Sequence, residues 1–162
     1  MKAETFWQYS LSRYVIDEVK NACMRLQDRY GYNVNLLLFC MHCDSLAILL
    51  CQRSIADIKS KMVLSDQQLI AHRNQRRMAK VKTAVKAAQE QNNIYESLLK
   101  QELALEAQQQ EIIVAAFLLI NEKLNGGSAL VQSDSLLSYL NQQSDNIDHE
   151  QQQLIEVLRK HV

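Results

Sequence analysis

The near absence of helix breakers constrains the fold of this chain more than any other feature. Its 162 residues include no proline and only three glycines. Proline removes a backbone hydrogen-bond donor and glycine weakens helices, so a chain this poor in both can sustain long helices. Glutamine, leucine and alanine, which have high helix propensity, are abundant. The sequence therefore predicts an all-α fold, a single-domain bundle of about six to seven helices over residues 1–162.

Two apolar patterns define the expected architecture. Residues 34–51 are almost continuously apolar, which predicts a central helix with apolar residues on every side. In residues 94–124, leucine or isoleucine recurs every seven positions, and this pattern predicts a long helix. The glycine pair at residues 126–127 is a turn signal that would end it.

Several residues carry helix-boundary signals. Asp17 is a candidate N-cap of the second helix, Gly31 suits the left-handed position after its end, and Asn33 can cap the next helix. Further breaks are expected at Ser65-Asp66, where a new N-cap is available, and at the polar residues 91–93. One broad face of the first helix is expected to carry Phe6, Trp7, Ser10, Leu11 and Tyr14. We expect Trp7 to anchor either the core or a groove at its edge.

Charge and hydropathy set limits on location and partners. Lysine and arginine total 18, as do aspartate and glutamate, so no global field draws the chain to nucleic acid or anionic lipid. The apolar segment 34–51 contains Asn35, His42 and Asp44, and an aspartate at the bilayer centre costs ~2.5–3.5 kcal/mol. The N-terminal residues lack the pattern of a secretory signal. We therefore expect a cytoplasmic protein with no membrane association.

Four cysteines raise the question of a metal site. Cys40, Cys43 and Cys51 would share one face of a helix over residues 34–51, with His42 on the other side. A structural zinc site needs a second pair of ligands, and only Cys23 remains. Free cysteine is among the most buried residue types. We interpret these residues as reduced core thiols and expect no metal, disulfide or cofactor.

Five residues of the N-terminal quarter form a candidate pocket: Trp7, Gln27, Asp28, Asn35 and His42. Asn35 and His42 are seven apart and therefore lie on one face of the predicted third helix. A buried amide and imidazole need partners, because an unsatisfied polar group costs ~1–3 kcal/mol. Gln27 and Asp28, at the end of the preceding helix, are expected to supply them. The set is either a small ligand pocket or a hydrogen-bonded network that fixes the turn.

The sharpest local signal is a basic face on a predicted helix after Ser65. No acidic residue occurs in residues 67–89. Helical spacing places four basic side chains on one face: Arg73, Arg76, Arg77 and Lys80. In an antiparallel hairpin, Glu102 and Glu106 of the next helix would pair with Arg77 or Lys80. The basic face is therefore either a binding surface or an internally paired one.

Two blocks near the N-terminus resemble a known family. Residues 6–14 read F-W-Q-Y-S-L-S-R-Y, and residues 26–38 read L-Q-D-R-Y-G-Y-N-V-N-L-L-L. They resemble F-W-x-[YF]-S-L-x-x-Y and L-Q-D-x-x-G-x-[DN]-V-N-[LI]-L-L, which open a family of small, all-helical bacterial proteins of unknown function. The later R-x-x-R-R-x-x-K run and Tyr95 followed by Glu102 and Glu106 also resemble elements of that family. The resemblance implies a helical fold and names no reaction.

No motif in the sequence indicates catalysis. A G-x-S-x-G nucleophile turn, a glycine-rich phosphate loop and an H-E-x-x-H metal motif are all missing. The leading hypothesis is a macromolecular interaction or adaptor protein that binds another protein through the basic helix and the aromatic N-terminus. One alternative is a nucleic-acid-binding accessory protein using the same cations. The other is a small-ligand binder or enzyme using the candidate pocket.

Overall fold

Helices make up all the regular secondary structure of the described chain. A computed structural model describes residues 1–83, 88–124, 134–143 and 146–162. Within these ranges the helices are α1 (Ala3–Tyr14), α2 (Asp17–Tyr30), α3 (Val34–Ser45), α4 (Gln52–Thr83), α5 (Ala88–Leu124), α6 (Ser135–Gln143) and α7 (His149–Arg159). The predicted all-α, single-domain fold is confirmed. The predicted turn at residues 126–127 lies outside the described residues.

The helix α3 forms the centre of the core. Every residue from Val34 to Cys43 is buried, so neighbours cover this helix on all sides. The ring of Phe39 meets Phe6 of α1 edge to face at 5.1 Å and Phe117 of α5 at 5.5 Å between ring centroids. A helix that is apolar all round is stable only when it is enclosed. The predicted central helix is therefore confirmed, although it is shorter than expected.

The predicted continuation of α3 to residue 51 is wrong. The helix ends at Ser45, and Ala47 takes a left-handed backbone conformation with φ 55°. The backbone N–H of Ile48 then bonds to the carbonyl of Cys43 at 2.9 Å, which closes the helix end. Leu49 is 47% exposed whereas Leu50 is buried, so the apolar composition of these residues does not mark a helix enclosed on every side.

The predicted break at Ser65-Asp66 is also wrong, because α4 runs without interruption from Gln52 to Thr83. The side chain of Ser65 donates to the carbonyl of Met62 at 2.9 Å, within the helix. Asp66 accepts hydrogen bonds from side chains of two other elements rather than capping a helix. Tertiary partners thus use the groups that could have ended α4.

The helix α5 starts earlier than expected and passes through residues 91–93, where a break was predicted. One described stretch, Asn93–Asn121, is long and apolar enough to cross a membrane by length and composition. This is weak support for a membrane span, because core helices of soluble proteins meet the same criterion.

The two long helices form an antiparallel hairpin. Ser65 of α4 bonds Gln109 of α5, whereas Arg76, further along α4, bonds Glu102, nearer the start of α5. Among the contacting pairs, residue numbers therefore increase along α4 while they decrease along α5, as in antiparallel helices. This arrangement brings the basic face predicted on α4 next to the carboxylates of α5.

Local signals set most boundaries of the shorter helices. Gly31 ends α2 with φ 72°, in the left-handed region where a glycine avoids strain. The side chain of Asn33 caps α3 by accepting from the N–H of Leu36 at 2.9 Å. Both predictions are confirmed. The N-cap of α2 is Ile16 rather than Asp17, whose carboxylate instead lies in the first turn, where the helix dipole favours negative charge.

A buried amide network ties the hairpin to α3. Gln109 is fully buried, and its Nε2 donates to Ser65 Oγ at 3.1 Å and to Asp66 Oδ1 at 2.8 Å. Its Oε1 accepts from Nδ2 of Asn33 at 3.0 Å and from Nδ2 of Asn35 at 2.9 Å. Both donor hydrogens and both lone pairs of this one amide are thus used, which fixes the register between the helices.

We predict that Gln109→Leu lowers the free energy of unfolding by about 2–3 kcal/mol, because the substitution leaves buried amides without partners. Chemical denaturation measures the change. The matched control is Gln108→Leu at the exposed neighbouring position, which should change stability by less than about 0.5 kcal/mol. Equal losses in the two variants would show that the network does not contribute.

Candidate functional site

A groove opens where α1, α2 and α3 meet the hairpin. Its volume is about 220 Å³. Three groups of side chains line it: an apolar mouth (Trp7, Leu11, Leu103), a polar floor (Gln27, Asn35, Gln110) and an ionic wall (Arg73, Arg76, Glu102, Glu106). The groove thus brings together residues from both of the sets that the sequence singled out separately.

The mouth of the groove presents apolar surface to solvent. Trp7 and Leu11 are four apart on α1 and therefore lie on the same face, opposite Leu103 of α5. Leu11 is 43% exposed and Leu103 is 50% exposed, while Trp7 is half-buried. Of the two locations expected for Trp7, core or groove edge, the structure places it at the groove.

The floor is polar and almost fully hydrogen-bonded. Asn35 Oδ1 accepts from Gln110 Nε2 at 3.0 Å, and Gln110 Oε1 lies 3.5 Å from the hydroxyl of Ser10. Gln27, in the last turn of α2, differs from them. Its Oε1 is buried, and no partner for it exists among the described residues. Beneath the floor there is therefore one buried acceptor without a hydrogen bond from the described residues.

The wall is a chain of ion pairs between α4 and α5. Arg73 donates to Glu102 at 3.2 Å and to Glu106 at 3.1 Å, and Arg76 donates to Glu102 at 2.5 Å. The side chains of Arg73 and Glu102 are only 15% and 10% exposed. A further hydrogen bond joins Arg76 to the hydroxyl of Tyr95 at 3.4 Å. The two arginines are therefore neutralised within the fold.

Burial changes the acid–base behaviour of this wall. Desolvation raises the pKa of Glu106, and the nearby charge of Arg73 opposes the shift. Burial also raises the pKa of Tyr14, which lines the groove, to about 12, with Cys23 and Glu106 adding to the effect. Burial disfavours the charge of Arg76, but its hydrogen bonds to Glu102 and Tyr95 outweigh this and raise its pKa. Arg76 and Tyr14 thus keep their protons at neutral pH.

The structure divides the predicted basic face. Glu102 and Glu106 pair with Arg73 and Arg76, and the expected pairing with Arg77 is wrong. Neither Arg77 nor Lys80 lines the groove. Arg77 points instead toward α2 and pairs with Asp28 at 3.1 Å, with side chains 61% and 49% exposed. The register of the hairpin decides which arginines face α5, and the spacing of the charges does not reveal that register.

The predicted hydrogen bonding of His42 is wrong. Its ring is 4% exposed and packs against Phe6 at 5.9 Å and Tyr9 at 4.5 Å between ring centroids. Among the described residues neither of its ring nitrogens has a hydrogen-bond partner. The glutamines of α5 reach Asn35, whereas two aromatic rings of α1 cover His42. One helix face thus meets two different neighbours.

The burial of three cysteines agrees with the predicted core role. Cys23, Cys40 and Cys43 are buried, and burial raises the pKa of each thiol. Cys51 lies beyond the end of α3, so it does not share their face, and it is half-buried. Within the described ranges no three His, Cys, Asp or Glu side chains come together in a group that could hold a metal ion.

Sequence reasoning missed several groove residues. Leu11 and Tyr14 lay on the predicted apolar face of α1, but nothing marked them as lining a cavity. Leu103 lies between the two glutamates that were singled out, and Gln110 lies in a run of glutamines that has no distinctive pattern. The one usable signal was the spacing of Trp7, Leu11 and Tyr14, which repeats every three to four residues.

Comparison with known sequences assigns the family. The fold and the groove define an all-helical protein with a partly enclosed cavity. The chain belongs to the family described as Protein of unknown function (DUF2390), whose sequence model matches residues 5–113. Every residue that lines the groove lies within this matched segment. Neither the curated proteins nor the solved structures gave a match.

We predict that Arg76→Gln lowers the free energy of unfolding by about 1–3 kcal/mol, because it leaves the buried carboxylate of Glu102 with one ion pair fewer. The matched control is Arg77→Gln, which breaks an exposed pair on the next residue and should change stability by less than about 1 kcal/mol. Urea denaturation compares the two variants. A larger loss at Arg77 would contradict the role given to the ionic wall.

A second prediction concerns the pH dependence of stability. Burial lowers the pKa of His42 from its ordinary 6.5, and the positive N-terminal amino group adds to the shift. The unfolded chain therefore binds a proton near pH 6.5 that the folded chain excludes, so stability is complete above this pH and is lost as the pH falls toward the lowered pKa. The variant His42→Leu should flatten the dependence of unfolding free energy on pH between about pH 7 and 5.

The control for this measurement is His149→Gln, which replaces an exposed histidine. It should leave the slope of the wild-type profile unchanged. If His42→Leu and the wild type have the same slope, the imidazole is protonated equally in both states and the prediction is wrong.

Proposed function

We propose that this chain is a macromolecular interaction protein whose groove binds a segment of a partner protein. The observation that carries the proposal is the solvent-facing apolar mouth formed by Trp7, Leu11 and Leu103 above a small cavity. Exposed apolar side chains that surround a pocket are typical of protein–protein contact sites. The proposal includes a cytoplasmic location, which rests on the sequence alone.

The size of the groove favours a partner side chain over a metabolite. Sites for small molecules usually enclose about 300–1,000 Å³. The groove has about 220 Å³, which suits one large side chain with its backbone left outside. A segment that inserts one anchor and lays the rest across the rim would match this shape.

The surface beside the groove extends the apolar contact. Leu99 is one turn before Leu103 on α5 and is 41% exposed. The two side chains form a short apolar row that continues the mouth along the helix. A helix or extended segment of the partner that crosses α1 and follows α5 would cover this row.

The charge of the site favours a neutral partner segment. The guanidinium groups of Arg73 and Arg76 already bind carboxylates and are mostly buried. Phosphate groups would have to displace these carboxylates, so the pairing does not support the nucleic-acid hypothesis. The same pairing leaves no unpaired carboxylate and arginine in the wall to act as acid or base, which also weighs against an enzyme.

The proposal is tested by crosslinking from the groove. A photoreactive amino acid at position 11 should capture a protein partner that survives nuclease treatment, while the same group at Val15, 78% exposed and one turn further, should not. With the purified partner, Leu103→Glu should weaken binding by about 30-fold or more, since it places a charge in an apolar contact.

The matched control is Leu119→Glu, because Leu119 lies on the same helix and is similarly exposed, at 55% against 50% for Leu103. It should leave affinity unchanged. Affinity should also depend weakly on salt. Equal effects of the two substitutions, or a steep fall in affinity with salt as expected for phosphate contacts, would overturn the proposal.

A further inference from the structure

We propose, on the basis of the function proposed above, that the partner segment inserts a glutamine side chain into the groove. The carboxamide oxygen of this glutamine accepts a hydrogen bond from the hydroxyl of Tyr14, and its NH2 group donates to Oε2 of Glu106. Both residues line the groove, Tyr14 from α1 and Glu106 from α5.

These two polar groups of the groove are open to a ligand. Oε1 of Glu106 accepts from Arg73 at 3.1 Å, whereas Oε2 accepts no hydrogen bond from the described residues. The side chain of Glu106 is 30% exposed. The hydroxyl of Tyr14 also has no hydrogen-bond partner in the described part of the chain, and this residue is partly exposed. Unlike the buried oxygen of Gln27, both groups are therefore within reach of water and of a ligand.

A segment that covers the groove removes water from both groups. A polar atom that loses water without gaining a partner costs more free energy than a typical hydrogen bond returns, so an apolar anchor is penalised at two atoms. The anchor must therefore bring an acceptor for the tyrosine hydroxyl and a donor for the carboxylate. A site with such polar groups discriminates strongly against ligands that lack the matching atoms.

The charges of the wall restrict the anchor to a neutral group. Two arginines and two glutamates line the groove, so their charges cancel. A carboxylate anchor would be repelled by Glu106, and a cationic anchor would face Arg73 and Arg76. A carboxamide has no net charge and carries its acceptor and its donor on separate atoms, so it can reach groups on two helices. A hydroxyl would have to serve both groups from one oxygen.

The two groups lie near each other in an otherwise apolar setting. Burial is the main cause of the raised pKa of Tyr14, and the next causes are the nearby Cys23 and Glu106. The hydroxyl and the carboxylate thus interact electrostatically, but they do not hydrogen-bond each other. The apolar mouth of the groove suits the two methylene groups between the carboxamide of a glutamine and its backbone.

The experiment selects peptide probes on the full-length protein. A random peptide library is displayed, and the peptides that bind the wild type but not Leu103→Glu are retained as groove binders. We expect these peptides to share a glutamine. In a synthetic copy, changing this glutamine to methionine, which has a similar length and no hydrogen-bonding amide, should weaken binding about 10-fold. Changing it to glutamate should weaken binding at least as much.

The variant Tyr14→Phe tests the donor on the protein. It removes one of the two hydrogen bonds, so the loss caused by the methionine peptide should fall from about 10-fold to about 3-fold. The matched control is Tyr9→Phe, on the same helix but outside the groove lining, which should keep the full loss. Thermal unfolding should show that Tyr14→Phe is as stable as the wild type, because the hydroxyl bonds no described residue.

The variant Glu106→Ala tests the acceptor. It should reduce the loss caused by the methionine peptide in the same way. The matched control is Glu111→Ala, at an exposed position on the same helix, which should leave the loss unchanged. Thermal unfolding checks that both variants are folded.

Groove-binding peptides without a common glutamine would overturn this inference. So would a loss with the methionine peptide that stays the same in Tyr14→Phe or in Glu106→Ala, or a library that yields no peptide sensitive to Leu103→Glu. Peptides that bind the groove through a different anchor leave the proposed function standing. The crosslinking test at position 11 decides that function separately, so the two failures can be told apart.

Discussion

The structure depends on the complete enclosure of α3. Residues 34–43 are buried on every side of the helix. Their stability therefore requires α1, α5, α6 and neighbouring elements to pack around them. The aromatic contacts of Phe39 with Phe6 and Phe117 show this directly, because they join three helices at one point. Between α1 and α5, beside the start of α3, this packing leaves a gap, and the gap is the groove.

Polar contacts decide how the enclosing helices are aligned. Apolar packing alone tolerates small shifts along a helix, but Gln109 uses all its hydrogen-bonding capacity only in one register. In the same register Arg73 and Arg76 meet Glu102. The ionic wall of the groove is thus a consequence of a network buried two turns away, and two of the four residues of the basic face, Arg73 and Arg76, are paired within the fold.

The parts of the fold that follow from local chemistry were predictable. The lack of proline, the glycine at position 31 and the cap at Asn33 act over a few residues, and the structure agrees with each. Features that depend on distant partners were not predictable. Ser65 resembles an N-cap in the sequence, because its hydrogen bonds to Met62 and Gln109 depend on the folded structure. The basic face was found, but not which of its arginines turn toward α5. The groove itself needs five helices, and no single segment encodes it.

The family match covers a shorter part of the chain than the hydrophobic core does. The match ends at residue 113, inside α5, yet the core does not end there. Phe117 packs on Phe39, and the hydroxyl of Tyr139 in α6 accepts from the backbone N–H of Asn33 at 3.0 Å, next to the cap of α3. A fragment cut at the family boundary would open one flank of the central helix to water. The segment recognised by sequence similarity is therefore smaller than the unit that folds.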